Sequence, residues 1–117
     1  MWIVFVVLIL GGGVCTAVGW YGFVGKLPPN WIAGIRTPYT MKSPENWYAV
    51  HRAGGPYVIF GGVACAAAGL AFLPFAIAGQ VPDALAAGVA IGAAVVLGGS
   101  AIASWLVGTR AAKSRAA

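Results

Sequence analysis

Charged residues are scarce in this sequence. Of its 117 residues 8% are charged and only two are acidic, whereas a soluble domain typically carries about 25% charged residues. Because so few charges cannot cover a globule of this size with polar groups, a soluble enzyme domain and a disordered chain are both excluded. The sequence also has only two cysteines and one histidine, which excludes a disulfide scaffold and leaves too few side chains for a metal centre.

Apolar residues make up 61% of the sequence, and they fall in long uncharged stretches at 1–25, 53–79 and 84–109. Each stretch exceeds the roughly 20 residues that cross the hydrocarbon core of a bilayer. A lone segment in hydrocarbon must be helical, because a lone strand leaves its backbone groups unpaired. The sequence therefore predicts an all-α integral membrane protein with a single membrane domain. Its three transmembrane helices are expected at about 1–25, 56–79 and 84–108.

The net charge of +5 is explained by where the cations lie. Four of the seven Lys and Arg residues are in the first loop, none is in the second loop, and three are in the tail. Lys and Arg collect in the cytoplasmic loops of membrane proteins. We therefore expect the N-terminus outside, the loop 26–55 and the tail 109–117 in the cytoplasm, a lipid bilayer as partner, and no nucleic acid.

Pairs of small residues four positions apart predict close contacts between helices. The first span has two such pairs, which start at Gly12 and Gly13, and the third span has Gly88 and Gly92. The sequence leaves open whether these faces pack inside the three-helix monomer or against a homo-oligomer or another membrane protein.

The first loop ends in a pattern typical of a helix start. Ser43 is expected to be the N-cap, Pro44 the first helical residue, and Glu45 an acid suited to the positive end of the helix dipole. We expect a short interfacial helix at 44–53, followed by a break at Gly54-Gly55-Pro56. The helical spacing places three residues on one face of this helix: Trp47, Val50 and His51.

Three cations of the loop, Arg36, Lys42 and Arg52, lie beside the free N–H groups of this helix start. Such an arrangement can bind an anion, and Arg suits bidentate contacts with phosphate, including anionic lipid headgroups. Two alternatives stay open. The cations could attract headgroups without specificity, or Arg36 could pair with Glu45 and hold the loop together.

His51 is the only histidine, and Glu45 is the only acid of the loop. No catalytic set and no set of metal ligands can be assembled from them, so we expect a protein that is not an enzyme and has no cofactor. His51 is instead expected to form a hydrogen bond with the loop backbone. No charge lies in the middle of a span, which argues against an ion pathway.

The loop resembles the signature of the SdpI family of bacterial membrane proteins, Asn-x3-Gly-Ile-Arg-Thr-Pro-x-Thr followed by Ser and Trp-x3-His. The resemblance implies the plasma (inner) membrane of a bacterium. The namesake of the family gives immunity to a secreted killing peptide of its own population and signals the presence of this toxin to a repressor at the membrane. The implied ligand or partner site comprises Asn30, Gly34, Arg36, Thr37, Pro38, Thr40, Ser43, Glu45, Trp47 and His51.

Two functions are therefore carried forward. The first is an SdpI-like membrane protein whose cytoplasmic loop is a ligand or partner site for toxin immunity or envelope-stress signalling. The second is an accessory subunit of a larger membrane complex, which would dock through the glycine-rich helices.

Overall fold

The fold comprises three long helices and one short helical turn. The computed structural model describes residues 2–30 and 32–116, with the side chains of the last helix described as far as Ser114. The elements are α1 (Trp2–Phe23), a 3-10 turn (Thr40–Lys42), α2 (Pro44–Ile77) and α3 (Asp83–Ala116), and no strand occurs in the described ranges. All three helices are long and apolar enough to cross a membrane, which confirms the predicted fold class.

The first three turns of α2 belong to the same helix as the second span. We expected a separate interfacial helix that ended at Gly54-Gly55-Pro56, and this expectation was wrong, because α2 continues unbroken from Pro44 to Ile77. The reason is that these glycines make contacts. A methyl group at Gly54 would lie 2.5 Å from the Ser104 carbonyl oxygen of α3, and one at Gly55 would lie 2.7 Å from the Gly19 carbonyl oxygen of α1. The glycine pair thus lets α2 lie close to both neighbouring helices.

α2 lies between α1 and α3, which make few contacts with each other. Gly12 contributes to the α1–α2 contact, because a methyl group there would lie 2.5 Å from the Gly62 carbonyl oxygen. Gly13 has open space around it. Gly12 therefore packs within the chain, whereas Gly13 does not, and a contact of Gly13 outside the chain stays a prediction.

Gly88 and Gly92 make no close contact with the other helices. Both are exposed, and a methyl group at either would meet no atom within 4 Å, so the structure does not support the first of the two open alternatives, packing inside the monomer, and a contact outside the chain stays a prediction. The α2-facing side of α3 includes the buried Ala86 and Ala93, which are seven residues apart. Gly88 lies two residues beyond Ala86, about 200° around the helix, and therefore faces away.

The cations gather at one end of the bundle. α2 and α3 each have 34 residues, which is about 51 Å of helix, well beyond the roughly 30 Å hydrocarbon core. The C-terminal end of α1, the first turns of α2 and the last turns of α3 meet at this end, where Lys113 Nζ lies 5.2 Å from the centre of the Tyr39 ring. The compartment that this end faces stays a prediction.

Candidate functional site: a loop folded on Trp47 and His51

The loop between α1 and α2 folds back over the first turns of α2. Two buried side chains of α2 hold it. Trp47 is 0% exposed and its indole N–H donates a 2.8 Å hydrogen bond to the Leu27 carbonyl oxygen. His51, one turn further along α2, accepts a 2.8 Å hydrogen bond at Nε2 from the Ile35 backbone N–H. The start of the loop at Leu27 and its middle at Ile35 are thus fixed to one face of α2, and Trp47 and His51 share this face as predicted.

The hydrogen bonds of His51 define its protonation. Because Nε2 accepts from Ile35, this nitrogen carries no proton in the docked loop, and Nδ1, 2.7 Å from the Trp47 carbonyl oxygen, donates to that oxygen. The ring is therefore neutral and held in one tautomer. It also lies against the Trp47 ring, with 4.3 Å between ring centroids. The expected hydrogen bond between His51 and the loop backbone is confirmed.

Gly34 lies where the loop passes over these two rings. Its φ of +106° is in the region that glycine adopts most readily. A methyl group there would lie 2.7 Å from His51 Nε2 and 3.0 Å from Trp47 Cη2. Both the backbone conformation and the space therefore require glycine at this position.

A compact turn follows at Thr37-Pro38-Tyr39-Thr40. The buried Thr40 hydroxyl donates a 2.8 Å hydrogen bond to the Ile35 carbonyl oxygen and accepts a 2.9 Å hydrogen bond from the Thr37 N–H. The Met41 N–H closes the turn on the Thr37 carbonyl oxygen at 3.0 Å. Ile35 thus has its N–H bonded to His51 and its carbonyl bonded to Thr40, which joins the turn to α2.

Asn30 organises the preceding segment. Its side-chain oxygen accepts hydrogen bonds of 2.9 Å and 2.7 Å from the backbone N–H groups of Ile32 and Ala33, and its amide donates at 2.8 Å to the Pro28 carbonyl oxygen. These bonds form a local turn of the kind that Asn favours. The segment is therefore shaped before it reaches Gly34.

The start of α2 confirms the predicted cap. Ser43 is the N-cap, and its hydroxyl accepts a 3.1 Å hydrogen bond from the Asn46 N–H, with Pro44 in the first turn and Glu45 as the acid there. The Asn46 side chain adds a 3.0 Å bond to the Tyr39 carbonyl oxygen, which ties the turn to the helix.

Sequence reasoning missed Asn46, and it also missed Gly22 of α1, where a methyl group would lie 3.1 Å from His51 Cβ. Asn46 occupies the third position after the cap, which is only a weak sequence signal for the hydrogen bond from its side chain to the Tyr39 carbonyl oxygen. Gly22 gives no signal in the sequence, because only the folded loop brings His51 beside α1.

The outer surface of the loop carries both cations and apolar groups. Ile32 is 94% exposed and Met41 is 41% exposed, and Arg36, Lys42 and Arg52 are exposed as well.

The signature residues divide into two groups. Asn30, Gly34, Thr37, Thr40, Ser43, Trp47 and His51 shape and hold the loop, whereas Arg36, Pro38 and Glu45 lie on its surface. The expectation that the N–H groups of the helix start are free is wrong for Asn46, whose N–H is bonded to the Ser43 hydroxyl. The anion site as a whole and the pairing of Arg36 with Glu45 stay predictions.

Among the described residues no cluster of three or more His, Cys, Asp or Glu side chains is placed to hold a metal ion. Both cysteines are free thiols, and Cys65 Sγ donates to the Ala93 carbonyl oxygen at 3.5 Å. The polar side chains that shape the loop instead form hydrogen bonds mainly with backbone atoms.

Comparison with known proteins identifies the family of the chain. No curated protein and no solved structure matches the chain. The model of the SdpI/YfhL protein family matches residues 26–109, from near the start of the folded loop to the end of the third uncharged stretch. Since this match covers most of the sequence, the chain belongs to the SdpI/YfhL protein family.

Proposed function

We propose that this protein is a non-enzymatic immunity or envelope-stress signalling protein of the bacterial inner membrane, and that the folded loop is its partner site. Family membership supports the SdpI-like part of the proposal. The observation that carries the site is the docking of the loop on Trp47 and His51. This docking fixes the exposed groups of the loop in one arrangement.

A fixed surface favours binding because little conformational entropy is lost when a partner arrives. The loop offers such a partner an apolar contact at Ile32, which is 94% exposed, and an exposed cation at Arg36. A partner with an apolar segment and an anionic group fits these features.

The proposal is tested by survival of the bacterium. A strain without this protein is challenged with concentrated culture fluid of its own wild-type population and is then complemented with variants. We expect wild-type protein and Arg110→Ala to restore survival and Arg36→Ala to fail at equal protein levels. Arg110→Ala is the matched control, because it removes an exposed cation from the same end of the bundle but outside the loop. Equal survival with and without the protein would contradict an immunity role.

A second candidate function is supported by the free face of α3. Gly88 and Gly92 are exposed and have no neighbour within 4 Å of an added methyl group, and such a pair of small residues suits the close approach of another transmembrane helix. The protein would then be an accessory subunit of a larger complex. Purification in a mild detergent tests this function, since a stoichiometric larger partner is expected for a subunit and a monomer or homodimer for the first proposal.

A further inference from the structure

A pocket of about 360 Å³ lies beneath the loop, within the range of small-ligand sites. The three helices and the loop all contribute to its walls: Val14 and Val18 from α1, Ile35 from the loop, Val58 from α2 and Ala101 from α3. Along α1 the walls extend from Val14 to Gly22, which is about 12 Å of helix. The pocket is therefore longer than it is deep and runs along the bundle.

The pocket opens outward between α1 and α3. Val14 on one side is 63% exposed, and Ala101 on the other side is exposed too. Both residues, and Val58 behind them, lie in the uncharged stretches that cross the membrane. The surroundings of this opening are therefore lipid chains rather than water.

The walls of the pocket offer little to a polar ligand. His51 lines it, but both ring nitrogens are already engaged with backbone groups. Ser104 also lines it, and its buried hydroxyl, which has no hydrogen-bond partner among the described residues, is the one polar side-chain group of the lining that is left to a ligand. Water needs two to four polar partners in a cavity, and an empty pocket would leave its lining without dispersion contacts. A hydrocarbon chain needs no polar partners and supplies the missing dispersion contacts, so it suits this pocket better than water.

The loop closes one end of the pocket, and the charges near this end indicate which way a lipid would lie in it. Ile32, Ala33, Gly34 and Ile35 of the loop line its upper end, where the bond from Ile35 to His51 fixes them. Nearby cations of the loop and of α3 lie at the same end of the bundle. A lipid whose chain enters from below would therefore place its headgroup beside positive charge.

We propose that this pocket binds one acyl chain of an anionic phospholipid, from the leaflet at the loop end of the bundle. The chain lies between α1 and α3 and reaches the loop residues 32–35. The site shares Ile32 with the exposed loop surface of the proposed function, but its other walls lie between the helices and the inference does not depend on that function.

The test uses phosphatidylglycerol that carries a diazirine in one acyl chain, as a trace component of phosphatidylcholine nanodiscs that contain the full protein. After photolysis, adducts are mapped by peptide mass spectrometry. We expect adducts at residues 14–22 and, above all, at 32–35, because these residues line the pocket. Adducts spread evenly over lipid-facing positions such as Ile91 and Val95, with none at 32–35, would overturn the proposal.

Matched variants sharpen the result. Ala101→Phe fills the opening, whereas Ala94→Phe places the same ring on an exposed position of α3 that does not line the pocket. We expect the loop adducts to fall about tenfold in Ala101→Phe, the equivalent of 1.4 kcal/mol, and to stay unchanged in Ala94→Phe. Equal adducts in both variants would overturn the site. Val18→Phe fills the pocket from α1 and carries the same expectation if Ala101→Phe does not fold.

Two further outcomes concern the nature of the ligand. A phosphatidylcholine probe with the same diazirine should give fewer loop adducts than phosphatidylglycerol, and equal labelling would contradict the preference for an anionic headgroup. A hydrophobic peptide that co-purifies with the protein and blocks the lipid adducts would replace the acyl chain as the occupant and overturn the proposal.

Discussion

Ile35 and His51 are joined by a 2.8 Å hydrogen bond from a backbone N–H to an imidazole nitrogen across sixteen positions of the sequence. The same imidazole donates to the Trp47 carbonyl oxygen, and the Ile35 carbonyl oxygen accepts from Thr40. One residue of the loop is therefore bound through both of its backbone polar groups. This arrangement makes the loop a folded part of the protein, and the predictions below follow from it.

Replacing His51 by Phe should release the loop. Phe keeps a ring beside Trp47 but offers no acceptor, so the Ile35 N–H loses its partner, at a cost of about 1–3 kcal/mol for a buried donor. We expect faster tryptic cleavage after Lys42 in membranes. Tyr57→Phe is the control, because it removes a polar group from an aromatic residue of α2 that is 42% exposed. Wild-type cleavage in His51→Phe would show that the bond does not hold the loop.

Gly34→Ala should destabilise the loop more than Gly79→Ala does. Both glycines have positive φ, +106° and +74°, so alanine is strained at each by roughly 1 kcal/mol. Only Gly34 also lacks space, since its methyl group would meet His51 Nε2, whereas Gly79 has open surroundings. The thermal midpoint and the rate of loop proteolysis measure the difference. An equal effect of the two substitutions would argue against tight packing of Gly34 on His51.

Substitution of glycines should separate packing within the chain from docking outside it. Gly12→Leu places a large side chain against the Gly62 carbonyl oxygen, so we expect low yield and a lower thermal midpoint. The double variant Gly88→Leu and Gly92→Leu should keep the stability of the monomer, because nothing lies within 4 Å. If the protein is an accessory subunit, this double variant loses the co-purified partner, and Gly98→Leu, also in open space, keeps it. A destabilised monomer in the double variant would contradict the packing described above.

Topology can be tested by labelling in intact cells. In a background without Cys15 and Cys65, single cysteines at Lys42 and Lys113 should resist a membrane-impermeant thiol reagent, because the charge distribution places both in the cytoplasm. A cysteine at Asp83, at the opposite end of the bundle, should react. Labelling of position 42 from outside would show that the orientation is the reverse of the predicted one.

The helices were predictable because each depends on local features of the sequence. Long uncharged stretches define the three spans, and the Ser43-Pro44-Glu45 pattern defines the start of α2, which forms as expected. The break at Gly54 was not predictable in this way. Glycine permits both a break and a close helix contact. The helix continues here because Gly54 packs against Ser104 and Gly55 against Gly19, and both partners are distant in sequence.

Only part of the loop structure was predictable from the sequence, and its geometry was not. The sequence placed Trp47 and His51 on one face of a helix and expected a backbone partner for His51. It could not identify that partner as Ile35, nor show that Gly34 passes over both rings, because these contacts depend on how the loop folds back. The pocket beneath the loop has no sequence signal, since its walls come from all three helices and the loop.

The most direct test of the central claim, that the docked loop presents a specific partner surface, is the survival assay with Arg36→Lys, measured together with tryptic cleavage after Lys42. Lysine keeps the positive charge but lacks the planar fork of arginine, so attraction to headgroups that depends on charge alone should be unchanged. We predict that Arg36→Lys loses protection while the rate of loop cleavage stays at the wild-type value. Glu45→Gln should keep protection if Arg36 acts on a partner and lose it if the two residues hold the loop together. Full protection by both Arg36→Lys and Arg36→Ala would contradict the claim, because Arg36 would then act only as a charge that sets topology.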